Sequence, residues 1–322
     1  MKKLFTTLLK AAVTIGVIVF LVNRLGLKTI LSITATAKPV WLITALAVFL
    51  VSSLIGVAQW RILLANRRIP LPFGRACPLY MIGMFFNNFI LGGIVGDALK
   101  VASIRNRDGN GKAGLAATFL DRFAGLWAMC GFAVVGSIIL LLRHGALNDG
   151  KVGTAMVALA ATFVLFAGIL AFLLLKPLQN LFFNLLDKLP VDSLKPRIRD
   201  IVTGMLFEMH DLHILMKVAS LSTVIQLLRI SVHLLCAQAL GLLTPDNFHY
   251  FFIFVPVIAM LMTLPLPFGI REAAGGTLFA LAGFPEEAAY VMGFLASLVG
   301  IAASIFGGLF YITDRTLSKE QQ

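Results

Sequence analysis

The chain has 322 residues, 59% of them hydrophobic and only 13% charged, against about 25% charged in an ordinary soluble domain. So few charges cannot clothe a water-soluble surface of this size, and a mean hydropathy of +0.93 makes the chain an integral membrane protein. A net charge of +12 would suit nucleic acid, but the basic residues fall between apolar spans, where a multi-pass protein carries them on its cytoplasmic side. Cys77, Cys130 and Cys236 lie far apart inside apolar stretches; they form no disulfide or CxxC pattern and read as small core residues. No P-loop or zinc-finger spacing appears, and no cofactor or metal is expected.

A spanning helix needs about 20 mostly apolar residues. Stretches of that kind run at 4–22, 40–60, 113–142, 153–175, 217–243 and 286–312. The first follows Met1-Lys2-Lys3, as a signal peptide would. No small-residue cleavage site follows at Val22-Asn23-Arg24, so a retained helix is expected. Two further apolar stretches are broken. Residues 76–96 carry Asn87, Asn88 and the glycines Gly92, Gly93 and Gly96; residues 250–283 carry Pro256, Pro265, Pro267 and the charged pair Arg271-Glu272. Between the spans, 176–216 is amphipathic and is expected to lie at the cytoplasmic interface. There His210 and His213, with Glu208 and Asp211, read as solvated side chains of a surface helix rather than metal ligands.

The distribution of lysine and arginine decides the threading. With both broken stretches as re-entrant hairpins, 19 of the 27 basic residues fall inside and five outside, leaving Arg122, Arg229 and Arg271 in apolar surroundings. If each broken stretch crossed once, the tally would be 11 inside against 13 outside. The hairpin threading puts both termini in the cytoplasm, in a multi-pass protein of the cell membrane. It also exposes an internal repeat: 40–142 reads helix, hairpin from the inside, helix, and 217–313 reads helix, hairpin from the outside, helix. Opposed repeats with Gly/Pro-broken segments at matching places are a sequence sign of a secondary transporter. The fold expected is therefore all-α, with about six spanning helices and two opposed re-entrant hairpins in an inverted repeat, forming one polytopic domain over 1–322.

Charge within a bilayer costs from about 3 kcal/mol upward and needs a partner or a task. Six residues meet that condition: Asp97, Asp121, Arg122, Arg229, Arg271 and Glu272. Mutual pairing that only holds helices together is one reading of them. Adjacent residues such as Asp121 and Arg122 must find separate partners, and Arg229 has His233 one turn on but no acid at helical spacing. The glycine breaks carry a second signal. A half-helix that starts at membrane depth presents free N–H groups, which suit an anion such as a phosphate. Asp97 follows the first break and Glu272 the second, while Asn87 and Asn88 bring amide donors and acceptors. Close packing through Gly92-x-x-x-Gly96 is the alternative use of those glycines.

Three ordered motifs carry a resemblance. Phe85 to Lys100 (FFNNFILGGIVGDALK), then Asp121-Arg122-Phe123-Ala124-Gly125-Leu126, then Pro267-Phe268-Gly269-Ile270-Arg271-Glu272-Ala273-Ala274 resemble the flippase-like membrane region of lysylphosphatidylglycerol synthase/flippase proteins. The likeness covers nearly the whole chain, with Leu91-Gly92-Gly93 standing where that family favours Pro-Gly-Gly. The resemblance implies the flippase half of such proteins without the aminoacyl-transferase half. Its cargo would be a phosphate-bearing lipid, either an aminoacylated phosphatidylglycerol or a polyprenyl-phosphate carrier. Its binding residues would be Asn87, Asn88, Gly92, Gly93, Asp97, Asp121, Arg122, Arg229, Arg271 and Glu272. Nucleic acid is not expected as a partner; a lipid-modifying enzyme is. A membrane-embedded transferase or a regulatory subunit acting on lipid-linked substrates is the alternative function.

Overall fold

The computed structural model describes residues 27–89, 95–108, 111–144, 164, 168, 171–172, 175–188, 195–206, 211–261 and 270–313. The spans expected at 4–22 and 153–175 lie almost wholly outside them, as do both hairpin tips. Among the described residues every regular element is a helix: α1 (Leu27–Thr36), α2 (Pro39–Asn66), α3 (Phe73–Phe89), α4 (Val95–Asp108), α5 (Gly111–His144), α6 (Lys176–Lys188), α7 (Lys195–Leu206), α8 (Leu212–Ala239), α9 (His249–Leu261), α10 (Ile270–Leu281) and α11 (Glu286–Thr313). The helices α2, α5, α8 and α11 are long and apolar enough to cross a membrane. They coincide with four of the six spans read from hydropathy.

Local chemistry sets the ends of these helices. Pro39 occupies the first turn of α2, where its missing N–H costs nothing. Arg68, at φ 60°, turns the chain out of α2. The Asp211 side chain accepts hydrogen bonds from the N–H groups of His213 and Ile214 at 3.0 and 3.2 Å and so caps α8. Gly241 and Gly283, at φ 68° and 90°, follow α8 and α10 in the left-handed conformation that glycine tolerates best. Glu286 and Glu287 fill the first turn of α11, where the helix dipole favours acids.

The two broken stretches each form an antiparallel pair of short helices. In the first, Gly83 of α3 lies on Gly96 of α4 so closely that a Cβ on Gly96 would collide with the Gly83 carbonyl oxygen. One turn back along each arm Tyr80 meets Lys100. In the second, Phe251 and Phe254 of α9 pack on Phe279 of α10, with ring centroids 4.7 and 5.2 Å apart. Farther along, Ile258 faces Gly275. Each first arm contains a proline, Pro78 or Pro256. Both α4 and α10 begin two residues before the acid that follows the break, Asp97 or Glu272.

Packing follows a regular scheme. Helix α2 lies along α8 in the most extensive helix pairing among the described residues. The first hairpin arm α3 packs on α11, and the other hairpin's first arm α9 packs on α5. Helix α4 packs on α5 and α10 on α11; α2 touches α5 and α8 touches α11; α1 reaches α11 and α7 reaches α5. Two apolar cores result. One gathers Phe251, Phe254, Phe279, Phe284 and Met292 with residues of α8, and the other gathers Val57, Trp60, Leu63, Leu79 and Leu120.

The α6–α7 pair is held by Arg199, whose Nη2 donates to both carboxylate oxygens of Asp187 at 2.9 Å, and by the Lys195 ammonium on the Asp187 carbonyl at 2.9 Å. Along α6, Leu178, Leu181 and Leu185 are exposed at helical spacing, an apolar stripe of the kind that rests on a bilayer surface.

Candidate functional site

A connected set of polar side chains lies where α2, α3, α4, α5 and α8 meet. Its centre is Asp97, in the first turn of α4. The Asp97 Oδ2 accepts from Arg122 Nε at 2.6 Å and Oδ1 pairs with Lys100 Nζ at 3.0 Å. One carboxylate thus holds two cations. Its side chain is 18% exposed, Lys100 is 5% and Arg122 39%, so the Arg122 face opens outward while Lys100 is sealed in. Sealing follows from aromatic walls: the Lys100 ammonium sits 4.8 Å from the Tyr80 ring centroid and 5.4 Å from that of Trp60. Ring faces partly replace the water a buried ammonium loses.

Asn87 finishes the first hairpin. Its Oδ1 accepts the Gly96 N–H at 2.8 Å, and its Nδ2 reaches Asp97 Oδ1 at 3.5 Å. The N–H group that the start of α4 offers at Gly96 is therefore used within the chain. Asn88 turns the other way, donating to the Gly300 carbonyl on α11 at 3.4 Å.

Asp121 and Arg122 do find separate partners, as adjacent helical residues must. Asp121 Oδ1 accepts from the Gln59 side-chain amide on α2 at 2.9 Å, and Gln59 Oε1 accepts from Ser222 Oγ on α8 at 2.8 Å. Gln59 is 2% exposed and Ser222 is fully buried. Beside this relay Trp60 Nε1 donates to Thr118 Oγ1 at 3.2 Å. Farther along α8, Gln226 Oε1 and Arg229 Nε are buried without a hydrogen-bond partner among the described residues. Gly125 makes room for this approach: a Cβ there would press to 2.7 Å on Gln226 Nε2. The Arg229 charge acts on Tyr80, as do those of Asp97, Asp121 and Arg122, which ties α8 to the rest of the cluster.

Of the residues expected from the sequence, Asn87, Asp97, Asp121, Arg122 and Arg229 belong to this one assembly, and Asn88 borders it. Gly92 and Gly93 lie outside the described residues. For Arg271 and Glu272 only their place in the first turn of α10 is described. Sequence reasoning missed Gln59, Tyr80, Trp60, Lys100, Ser222 and Gln226. Lys100 had a usable signal, since it follows Asp97 at i,i+3, one turn of the same helix. The others are common in any apolar helix. Among the described residues no group of His, Cys, Asp and Glu is arranged to hold a metal ion.

The family model for the lysylphosphatidylglycerol synthase TM region matches residues 7–308. The chain belongs to that family. The match takes in both broken stretches, three of the four long spans with most of the fourth, and every member of the polar cluster. Searches against curated proteins and against solved structures returned no match. The chain is thus a multi-pass membrane protein of a family named for a lipid.

Proposed function

We propose that this family member is a lipid translocase that passes a phosphate-bearing head group between leaflets along the polar cluster, while the tails remain in the bilayer. The observation that carries the reading is the uneven use of charge. Asp97 is supplied with two cations, whereas among the described residues Arg229 Nε lies buried with no hydrogen-bond partner. A purely structural network would close its pairs; this one leaves a buried guanidinium donor over at Arg229. Arginine matches a phosphate through its planar fork, and Gln226 Oε1 can accept from a head-group hydroxyl or ammonium. Arg271 and Glu272 would complete the lining from the second hairpin, with Gly92 and Gly93 letting the chain turn at the first tip.

The packing scheme supports an inverted repeat. If α1–α5 are exchanged with α7–α11 in order, α2 on α8 maps onto itself. The α3–α11, α4–α5, α3–α4, α5–α8, α2–α5, α2–α3 and α1–α11 contacts then each have their counterpart in α9–α5, α10–α11, α9–α10, α11–α2, α8–α11, α8–α9 and α7–α5. Such a relation fits a single domain built around an axis beside α2 and α8, with re-entrant hairpins opposed across it. Moving Lys100 from the cytoplasmic tally to the cluster leaves 18 basic residues inside against five, so the cell membrane with cytoplasmic termini remains the favoured placement. The partner is an anionic or aminoacylated phospholipid, or a polyprenyl phosphate.

Reconstitution tests this. Purified protein in liposomes should move a labelled phosphatidylglycerol between leaflets without altering its mass, and Arg229→Ala should abolish the movement at unchanged thermal stability. A changed lipid mass would establish a transferase instead. Full translocation by both Arg229→Ala and Arg122→Ala would overturn the reading.

A further inference from the structure

We infer that Asp121 is a proton-carrying site that couples head-group movement to a transmembrane proton gradient. The inference rests on the translocase reading and adds the coupling ion. Its basis is the contrast between two acids in one cluster. Asp97 is paired with both near cations, Lys100 and Arg122. Among the described residues Asp121 is hydrogen-bonded only by the neutral Gln59 amide, whose own oxygen is committed to Ser222. Among the described residues no cation stands within ion-pair reach of Asp121. A charged carboxylate so placed is costly to keep from water, while its protonated form is a neutral group with a proton to donate.

The surroundings allow both states. On its own helix α5 the neighbour is Arg122, turned to Asp97. Helix α4 presents the like charge of Asp97 and the cation Lys100, and both act on Asp121. Helix α3 presents Tyr80, and α8 presents Arg229, which acts on Tyr80. Helix α2 presents Gln59, and its cation Arg61 donates to the Leu71 carbonyl at 2.8 Å. Of the remaining elements packed on α5, α9 carries a single ionisable pair, His249-Tyr250, at its start. The α7 charges are Lys195, Arg197, Arg199 and Asp200, of which Arg199 is tied to Asp187.

Coupling follows from charge balance. A phosphate arriving at Arg122 and Arg229 adds an anion to a buried cluster and raises the affinity of Asp121 for a proton. By linkage the proton raises the affinity for the phosphate by the same factor. The step is uptake of a proton from a hydronium ion with formation of one O–H bond at Asp121, reversed on the far side. Nothing is oxidised or reduced. Proton and anionic head group then travel in the same direction.

The test uses the full chain in liposomes containing labelled phosphatidylglycerol, with a pH difference imposed across the bilayer. One pH unit biases a one-proton cycle by a factor of about ten, so lipid should accumulate up to ~10-fold in the leaflet facing the alkaline side. Asp121→Asn should lose this bias and Asp121→Glu should regain it. Translocation by the wild type with no response to the gradient, or with a response to a sodium gradient instead, would overturn the proton inference and leave the translocase reading standing. If no lipid moves at all, the translocase reading falls. The site is then read directly by infrared difference spectroscopy in detergent at varied pH. A titrating carboxylic-acid band should appear in the wild type and vanish in Asp121→Asn. An identical spectrum for the two proteins overturns the inference whatever the transport result.

Discussion

Truncating Arg122 and truncating Lys100 should have unlike consequences, because Asp97 holds both at once. Arg122→Ala leaves Asp97 with Lys100 at 3.0 Å, so the carboxylate keeps a partner and the protein should fold. Lys100→Met removes the sealed member, which is only 5% exposed, and leaves an aromatic box around an uncharged chain beside a buried acid. Breaking a buried pair costs about 3–5 kcal/mol, less here for the share that Arg122 still neutralises. The expected order in a detergent melting experiment is wild type, then Arg122→Ala, then Lys100→Met as the least stable. Equal melting of all three would mean that the buried lysine contributes no more than the half-open arginine. Gln59→Leu probes the relay. It strips Asp121 of its donor and Ser222 of its acceptor, at about 1–3 kcal/mol for buried groups left unsatisfied. Charges such as Asp97, Asp121, Arg122 and Arg229 were legible in the sequence because charge in an apolar run is rare. Gln59, Tyr80 and Ser222 were not, since only the crossing of α2, α3 and α8 gives these residue types a partner.

At the scale of elements, the first hairpin is held by a seam with no spare volume. Gly96 lies against the Gly83 carbonyl, and a Cβ there would also come within 2.7 Å of Asn87 Oδ1. Because backbone rather than a flexible side chain blocks the new atom, Gly96→Ala must push α3 and α4 apart. Overpacking costs about 1–3 kcal/mol even where side chains can adjust. The displaced Asn87 would also surrender its hold on the Gly96 N–H. Loss of expression or a lower melting temperature is expected for Gly96→Ala. Gly131→Ala, which meets no atom within 4 Å, should behave as wild type. The same hairpin fixes sidedness: in an antiparallel pair the start of α3 and the end of α4 lie together. Single cysteines replacing Arg68 and Arg107 should therefore both react with a membrane-impermeant reagent from one and the same side, the cytoplasmic side under the proposed threading, and labelling from opposite sides would break that re-entrant threading. The existence of two broken stretches was legible from Gly92, Gly93, Pro265 and Pro267 among apolar residues. The packing partner of each arm was not, because α3 meets α11 and α9 meets α5 across more than a hundred residues of chain that leave no local periodicity.

The exchange relation among the helices has a mechanical consequence for the whole molecule. Each hairpin's first arm leans on the last long helix of the opposite unit, α3 on α11 and α9 on α5. Rocking one unit against the other would slide these two contacts. The α9–α5 contact can be tied. A Cβ built on Gly136 would lie 2.8 Å from the Phe252 Cβ. A small retreat brings the pair to the roughly 3.8 Å of a disulfide. In a background with Cys77, Cys130 and Cys236 replaced by alanine or serine, Gly136→Cys with Phe252→Cys should form a bond on mild oxidation, visible as a mobility shift. If translocation needs units that rock, the bond should stop lipid movement in liposomes, and a thiol reductant should restore it. Each single-cysteine parent should be indifferent to oxidant, which separates the cross-link from the volume change. A bonded protein that still moves lipid at the unbonded rate would show that this contact stays fixed through the cycle. The head group would then have to pass along a cluster that opens by side-chain motion alone, with Arg122, the most exposed of its charged members whose exposure is known, as the moving part.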